Sequence, residues 1–228
     1  MTTGENETGA GTVVPIRDGH GVQRDPALAR IESYWTGIRA GRLVPSRSEI
    51  DPRGLEGVLS HAFILERLTT GLARLRIAGS HMSELLGIEA RGMPLSAVFA
   101  PASRQALAGA LESVFDEPAT VRFALTSETG FRRPDLTGGM VLLPLRSDLG
   151  DITRVLGGVS LAGTIGRVPR RLEITGQSRR SLTGYAARPG EKTARITGFA
   201  EPRHDPQPEP PADARRRGHL RLVVANDE

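Results

Sequence analysis

Few residues of this chain are placed to do chemistry. Gly158–Gly163 reads GVSLAG and sets Ser160 among glycines. A nucleophile elbow needs a glycine two residues to either side of its serine, on a strand-to-helix turn. Here the spacing differs and the flanks are strand-like, so Ser160 reads as core strand. Asp148 and Asp151 could form a carboxylate pair, but SDLGD reads as a hairpin turn and the two as solvated turn residues. There is no dinucleotide fingerprint, no phosphate-binding Gly-Lys-Ser/Thr loop and no His-Glu-x-x-His. With no cysteine anywhere, thiolate catalysis, Cys-ligated zinc, iron–sulfur clusters and disulfides are excluded. No catalytic residue and no metal site is expected. His61 and His81 are the two histidines of the part expected to fold. His81, near the start of a short helix, could face a pocket; the plainer reading of both is a surface or capping residue. Arg47, Arg76 and Arg91 could hold a carboxylate or an anionic head group, against a plainer reading as surface arginines.

The elements that would position these residues follow from the patterning. Leu28, Ile31, Trp35 and Ile38 make one apolar helical stripe, opened by Asp25-Pro26 and stopped at Gly41. Ser46 and Glu49 have capping-box spacing, and Asp51-Pro52 signals another short turn. HAFILERL and GLARLRIAG read as a hairpin turning at Thr70-Gly71, with Leu75 and Ile77 inward and Arg74 and Arg76 outward. Ser80 can cap a short helix that Gly87 ends. Pro101 opens a longer helix with Leu107, Ala110, Leu111, Val114 and Phe115 on its buried face; Pro118 ends it. TVRFALTS alternates, while LTGGMVLLPLRSD and ITRVLGGVSLAG are apolar on both sides, as central strands are. The order, β-β-α-α-β-β-β after an N-terminal helix, predicts an α+β fold: a five-stranded antiparallel sheet with helices on one face.

The ends read differently. Residues 1–25 are polar and Gly-rich apart from Val13, Val14 and Ile16, and read as disordered. The folded domain is expected over 26–166. Residues 167–228 read as a mostly disordered Pro/Arg-rich tail, in which RRLEIT and ARITGF could be short strands or docking segments. The tail ends in HLRLVV, whose Leu220, Leu222 and Val224 alternate as an added strand would. The formal charge of +4 is mostly a property of that tail; residues 26–166 are nearly balanced. Nucleic acid is therefore not an expected partner, and Arg215–Arg217 reads as solvated. All basic residues but Lys192 are arginine. No apolar run approaches membrane-spanning length and the N-terminus lacks a leader pattern, so a cytoplasmic protein without membrane contact is expected.

The segment from Tyr34 to Phe99 resembles a divergent branch of the PAS family common in alphaproteobacteria. The resemblance is carried by Tyr34-Trp35, Gly41-Arg42, Pro45, Arg47, Ile50, Pro52, Gly79-Ser80, Leu86-Gly87 and Gly92, and spans roughly Arg30 to Gly163. It implies that the middle helices wall a pocket against the sheet. Ile77, His81, Met82, Leu86, Leu107, Leu111, Leu125 and Leu142 would line it, or pack as plain core. The haem ligand of haem-binding relatives usually sits on the long helix, which here has neither histidine nor cysteine. The flavin-binding Cys motif is also missing. No cofactor is expected. The resemblance further implies a non-enzymatic adapter, passing its signal to a protein partner, by family association a component of a histidine-kinase pathway. The other reading is a sensor of an apolar or amphipathic ligand. A homodimer is expected, with Tyr34, Trp35 and Ile38 as one candidate face, although their stripe equally suits packing on the domain's own sheet, and Leu220, Leu222 and Val224 as another.

Overall fold

The computed structural model describes residues 25–182. The N-terminal helix α1 spans Pro26–Arg39 and is followed by two 3₁₀ turns, Arg47–Glu49 and Pro52–Leu55. Then come β1 (Ala62–Thr69), β2 (Leu72–Ala78), α2 (Ser80–Leu86), a 3₁₀ turn Leu95–Val98, and α3 (Arg104–Asp116). Four strands complete the fold: β3 (Ala119–Ser127), β4 (Thr137–Arg146), β5 (Ile152–Ala162) and β6 (Leu172–Ser181). All pair antiparallel in one six-stranded sheet of order β2-β1-β5-β4-β3-β6.

Local signals account for most boundaries. Asp25 caps α1, its Oδ1 accepting from the N–H groups of Ala27 and Leu28 at 2.8 and 3.2 Å. Ser46 and Glu49 form the expected capping box. Gly87 ends α2 in the left-handed region at φ 73°, donating to Ser83 O at 2.8 Å. Ser80 is the first residue of α2 rather than its cap; that place belongs to Gly79, tucked against the backbone carbonyls of Leu59 and Ser60 where no side chain fits.

The sheet separates two apolar clusters. On one face α2, α3 and the Leu95–Val98 turn pack on Phe63, Leu65, Leu75, Val121, Phe123, Leu125, Met140 and Leu142. On the other, α1 and residues 43–58 cover Ile64, Val141, Leu143, Leu145 and Leu156. The central strands β4 and β5 are thus buried on both faces, as their unbroken apolar runs imply. Their meeting with α1 depends on Gly157-Gly158. A Cβ on Gly157 would fall 2.0 Å from the Phe63 ring, and one on Gly158 2.6 Å from Ile31 Cδ1 of α1.

Three corrections to the sequence reading follow. The sheet has six strands, not five. Strand β6 falls where the tail was expected to begin, because an edge strand facing solvent needs few apolar residues; Leu172 and Ile174 are the ones it turns to the core. The folded part therefore runs past Gly166 to Leu182, whose N–H donates to Pro118 O at 2.9 Å. Third, Ile77 does not face in. Residues 64 and 65 of β1 pair with 77 and 75 of β2, so Arg76 is an extra residue in a bulge. The bulge shifts the alternation by one, and Ile77 emerges on the α1 side of the sheet, 50% exposed.

Candidate functional site

Six of the eight residues expected to line a pocket come together. Met82, Leu86, Leu107, Leu111, Leu125 and Leu142 are buried in one cluster, packed among Phe63, Leu65, Phe99 and Phe123. The rings of Phe99 and Phe123 meet edge to face at 6.4 Å between centroids. Ile77 and His81 are not part of that cluster. Ile77 lies on the opposite face, and His81 stands where α2 meets the end of β5.

There His81 forms a pair with His61, their ring centroids 4.7 Å apart. His61 Nδ1 lies 3.0 Å from Val159 O, and the backbone N–H of His81 donates to Ser60 O at 3.0 Å. Ser160 donates its hydroxyl to Asp25 Oδ2 at 2.6 Å. This ties β5 to the cap of α1. Burial acts to raise the Asp25 carboxyl, but the bonds from Ser160, Leu28 and Ala27 outweigh it and hold it below the usual carboxylate value. Burial, and then the neighbouring charge of His61, push His81 below the usual histidine value; Glu84 and Asp25 oppose this weakly. A histidine depressed in the folded state binds its proton more readily when unfolded. Stability is therefore expected to fall as pH drops through about 6.5 toward the folded value. Urea midpoints between pH 7.5 and 5 check this, and His81→Gln should flatten the profile.

The face covered by α1 carries polar features that the sequence showed only in part. A cleft of about 600 Å³ opens between α1 and the strands β3 and β4, lined by Leu28, Glu32, Thr36, Arg122 and Val141. A smaller one of about 270 Å³ lies beside it toward β6. The Glu32–Arg122 ion pair crosses between helix and sheet there.

Farther along the same face, Glu66 of β1 sits under three arginines. Glu66 Oε2 accepts from Arg74 Nε at 2.7 Å, and the Arg76 Nε lies 2.5 Å from the same oxygen. Its Oε1 accepts from Arg76 Nη2 at 3.0 Å and lies 2.9 Å from Arg154 Nη2. The pairing brings them together, since Glu66 lies opposite Arg74 on one side and Arg154 on the other. The hydrogen bond from Arg76 does most to hold the Glu66 carboxyl down to about 2; burial opposes, and Arg74 and Arg154 add to the effect. Of the arginines proposed from sequence for anion binding, only Arg76 stands in this cluster. Arg47 lies in a 3₁₀ turn and Arg91 in the loop after α2. Arg154 and Glu66 were missed. Both sit at outward positions of strands otherwise read for their apolar residues, and nothing in the sequence says that the two strands are neighbours.

Trp35, offered as an interface residue, is spent within the chain. It is 2% exposed, and its Nε1 donates to Pro144 O at 2.9 Å. The Tyr34 hydroxyl accepts from Asp51 N at 2.7 Å and so holds the 3₁₀ turns to α1. Ile38 is half-buried. Leu220, Leu222 and Val224 lie outside the described residues. Asp148 and Asp151 are exposed in the β4–β5 turn, and among the described residues no group of three metal-ligating side chains comes together. No helix among them is long and apolar enough to cross a membrane.

One antiparallel sheet, with short helices and a longer helix on one face and a flanking N-terminal helix on the other, defines an α+β domain. The family model for the PAS domain matches residues 23–160, more than half of the chain, and the protein belongs to that family. No curated protein and no solved structure matches the chain significantly. PAS domains are typically non-catalytic modules of signal transduction, which gives this chain a sensing or regulatory role.

Proposed function

We propose that this PAS domain is a regulatory adapter of bacterial signal transduction, without an enzymatic step of its own, acting through protein–protein contacts in the cytoplasm. The observation that carries this reading is the packing of the inner face. Met82, Leu86, Leu107, Leu111, Leu125 and Leu142, the side chains that would surround a ligand, fill the space between helices and sheet against one another and against phenylalanine rings. A partner, by family association a component of a histidine-kinase pathway, would be met on the outer surface. A homodimer is the assembly expected with it. Because Trp35 is committed to the core, the dimer contact falls to other residues, among them the alternating Leu220, Leu222 and Val224.

Native mass spectrometry of the full chain tests this. The expected result is a dimer mass with no adduct, and removal of Leu220–Glu228 should return it to monomer or abolish partner capture. A reproducible extra mass would replace the adapter by the second reading, a sensor for an apolar or amphipathic molecule.

A further inference from the structure

The cluster on Glu66 has more cation than its own carboxylate neutralises. Arg74, Arg76 and Arg154 surround one acid, a surplus of two positive charges on one patch of sheet. The four contacts to Glu66 occupy both of its oxygens, so it has little capacity left to accept. Among the described residues the terminal nitrogens of Arg74 make no hydrogen bond, and Arg154 Nη1 reaches only the carbonyl and hydroxyl of Thr153. The Arg76 side chain is 51% exposed, Arg74 and Arg154 are partly exposed, and Glu66 is 13% exposed, so the acid lies deeper than the cations around it. Glu66 also holds the three guanidiniums in place, which lowers the entropy lost when a second anion binds them. Beside them the β2 bulge turns out Ile77, opposite Ile64 and one pleat from Glu66. Fixed arginines next to an exposed aliphatic side chain have the composition of a protein-binding hot spot.

We propose that the outer face of β1, β2 and β5 is a docking site for an acidic segment of a partner protein, its carboxylates held by Arg74, Arg76 and Arg154 and an apolar side chain resting on Ile77. Charge complementarity selects this occupant: the patch is cationic while residues 26–166 as a whole are nearly neutral. The inference rests on the adapter reading and names the chemistry of its partner.

The probe is a fluorescein-labelled acidic peptide with interspersed leucines, followed by anisotropy and by amide shifts of the isotope-labelled full chain. Binding should weaken as salt rises, with shifts centred on β1, β2 and β5. Arg76→Ala should lower affinity about tenfold, as expected for loss of one charged anchor. Arg74→Gln combined with Arg154→Gln should act alike if Arg76→Ala alters the thermal melt. Absence of binding, equal affinity in both variants, shifts centred on the α1 clefts, or tighter binding of a single-stranded oligonucleotide would each overturn the proposal. A natural partner that Arg76→Ala still captures would remove this site and leave the adapter reading standing. A bound small molecule in native spectra would remove the adapter reading whatever the peptide does.

Discussion

Trp35→Ala is expected to cost the domain about 3–5 kcal/mol, the usual penalty for truncating a fully buried large aromatic. The indole is enclosed by the sheet and by residues 43–58, and it supplies the donor that Pro144 O receives. Substitution removes apolar burial and leaves that buried carbonyl without its partner. In a domain of this size the melting temperature should fall by about 10 °C or more. Trp35→Phe keeps most of the ring and loses only the donor, so its loss should be near 1–2 kcal/mol. Thermal denaturation followed by circular dichroism separates these outcomes. A chain that kept its wild-type melt but became monomeric would return Trp35 to the interface role that its sequence position first suggested.

The second large effect is expected at Arg170. Its side chain is 0% exposed, yet among the described residues no carboxylate pairs with it directly. Nη1 donates to Ile165 O; Nη2 donates to Ser127 Oγ and Pro134 O at 2.5 Å each and to Glu128 O at 3.2 Å. Its backbone N–H reaches Leu85 O at 2.7 Å. One planar group thus joins the end of β3, the loop before β4 and the segment leading to β6. Burial, and then the nearby charge of Arg133, lower its proton affinity, but a guanidinium still carries its charge at neutral pH. Arg170→Ala would leave several buried oxygens without donors and a void among them, at a cost of about 3–5 kcal/mol. Arg170→Lys should recover only part of this, because a single ammonium cannot span oxygens on both sides of the fork. Limited proteolysis gives a second readout: cleavage between Gly163 and Ser181 should accelerate in the alanine variant while the β1–β2 hairpin stays protected. An unchanged melt and cleavage pattern would show that the loops hold together without the guanidinium.

These two residues also show where reading the sequence succeeds and where it stops. Helix α1 was legible because its stripe and its Asp-Pro opening agree with one another, although the left-handed cap that ends it is Ala40, one residue before the expected Gly41. The two central strands were legible because burial on both faces leaves an unbroken apolar run. Periodicity could not say which surface the α1 stripe would meet, since packing on one's own sheet and packing on a second copy demand the same residues. Arg170 could not be found at all: it stands in VPRRLEIT, where Arg171 looks identical, and only the loop carbonyls converging from distant positions distinguish the two. Strand β6 was visible only as the undecided RRLEIT segment and left out of the sheet, because its pairing with β3 is long-range and its apolar content low. Ile77 was misplaced by one inserted residue, a change that leaves the local pattern intact and reverses its meaning. For the same reason the arginine cluster was half visible: the outward directions of Arg74 and Arg76 were readable, but their convergence on Glu66 with Arg154 is a product of register.

The glycine pair in β5 has a mechanical consequence. The Phe63 ring lies against Gly157 on one side of the sheet and Ile31 against Gly158 on the other, with no side chain between either of them and the main chain. At that point the wall between the two apolar layers is one backbone thick. A displacement of this stretch of β5 presses on the ring and on the helix together, so the layers cannot relax independently there. The partition between them behaves as a membrane in the drumhead sense, thin where it is struck and clamped by hydrogen bonds to β1 and β4 along its edges.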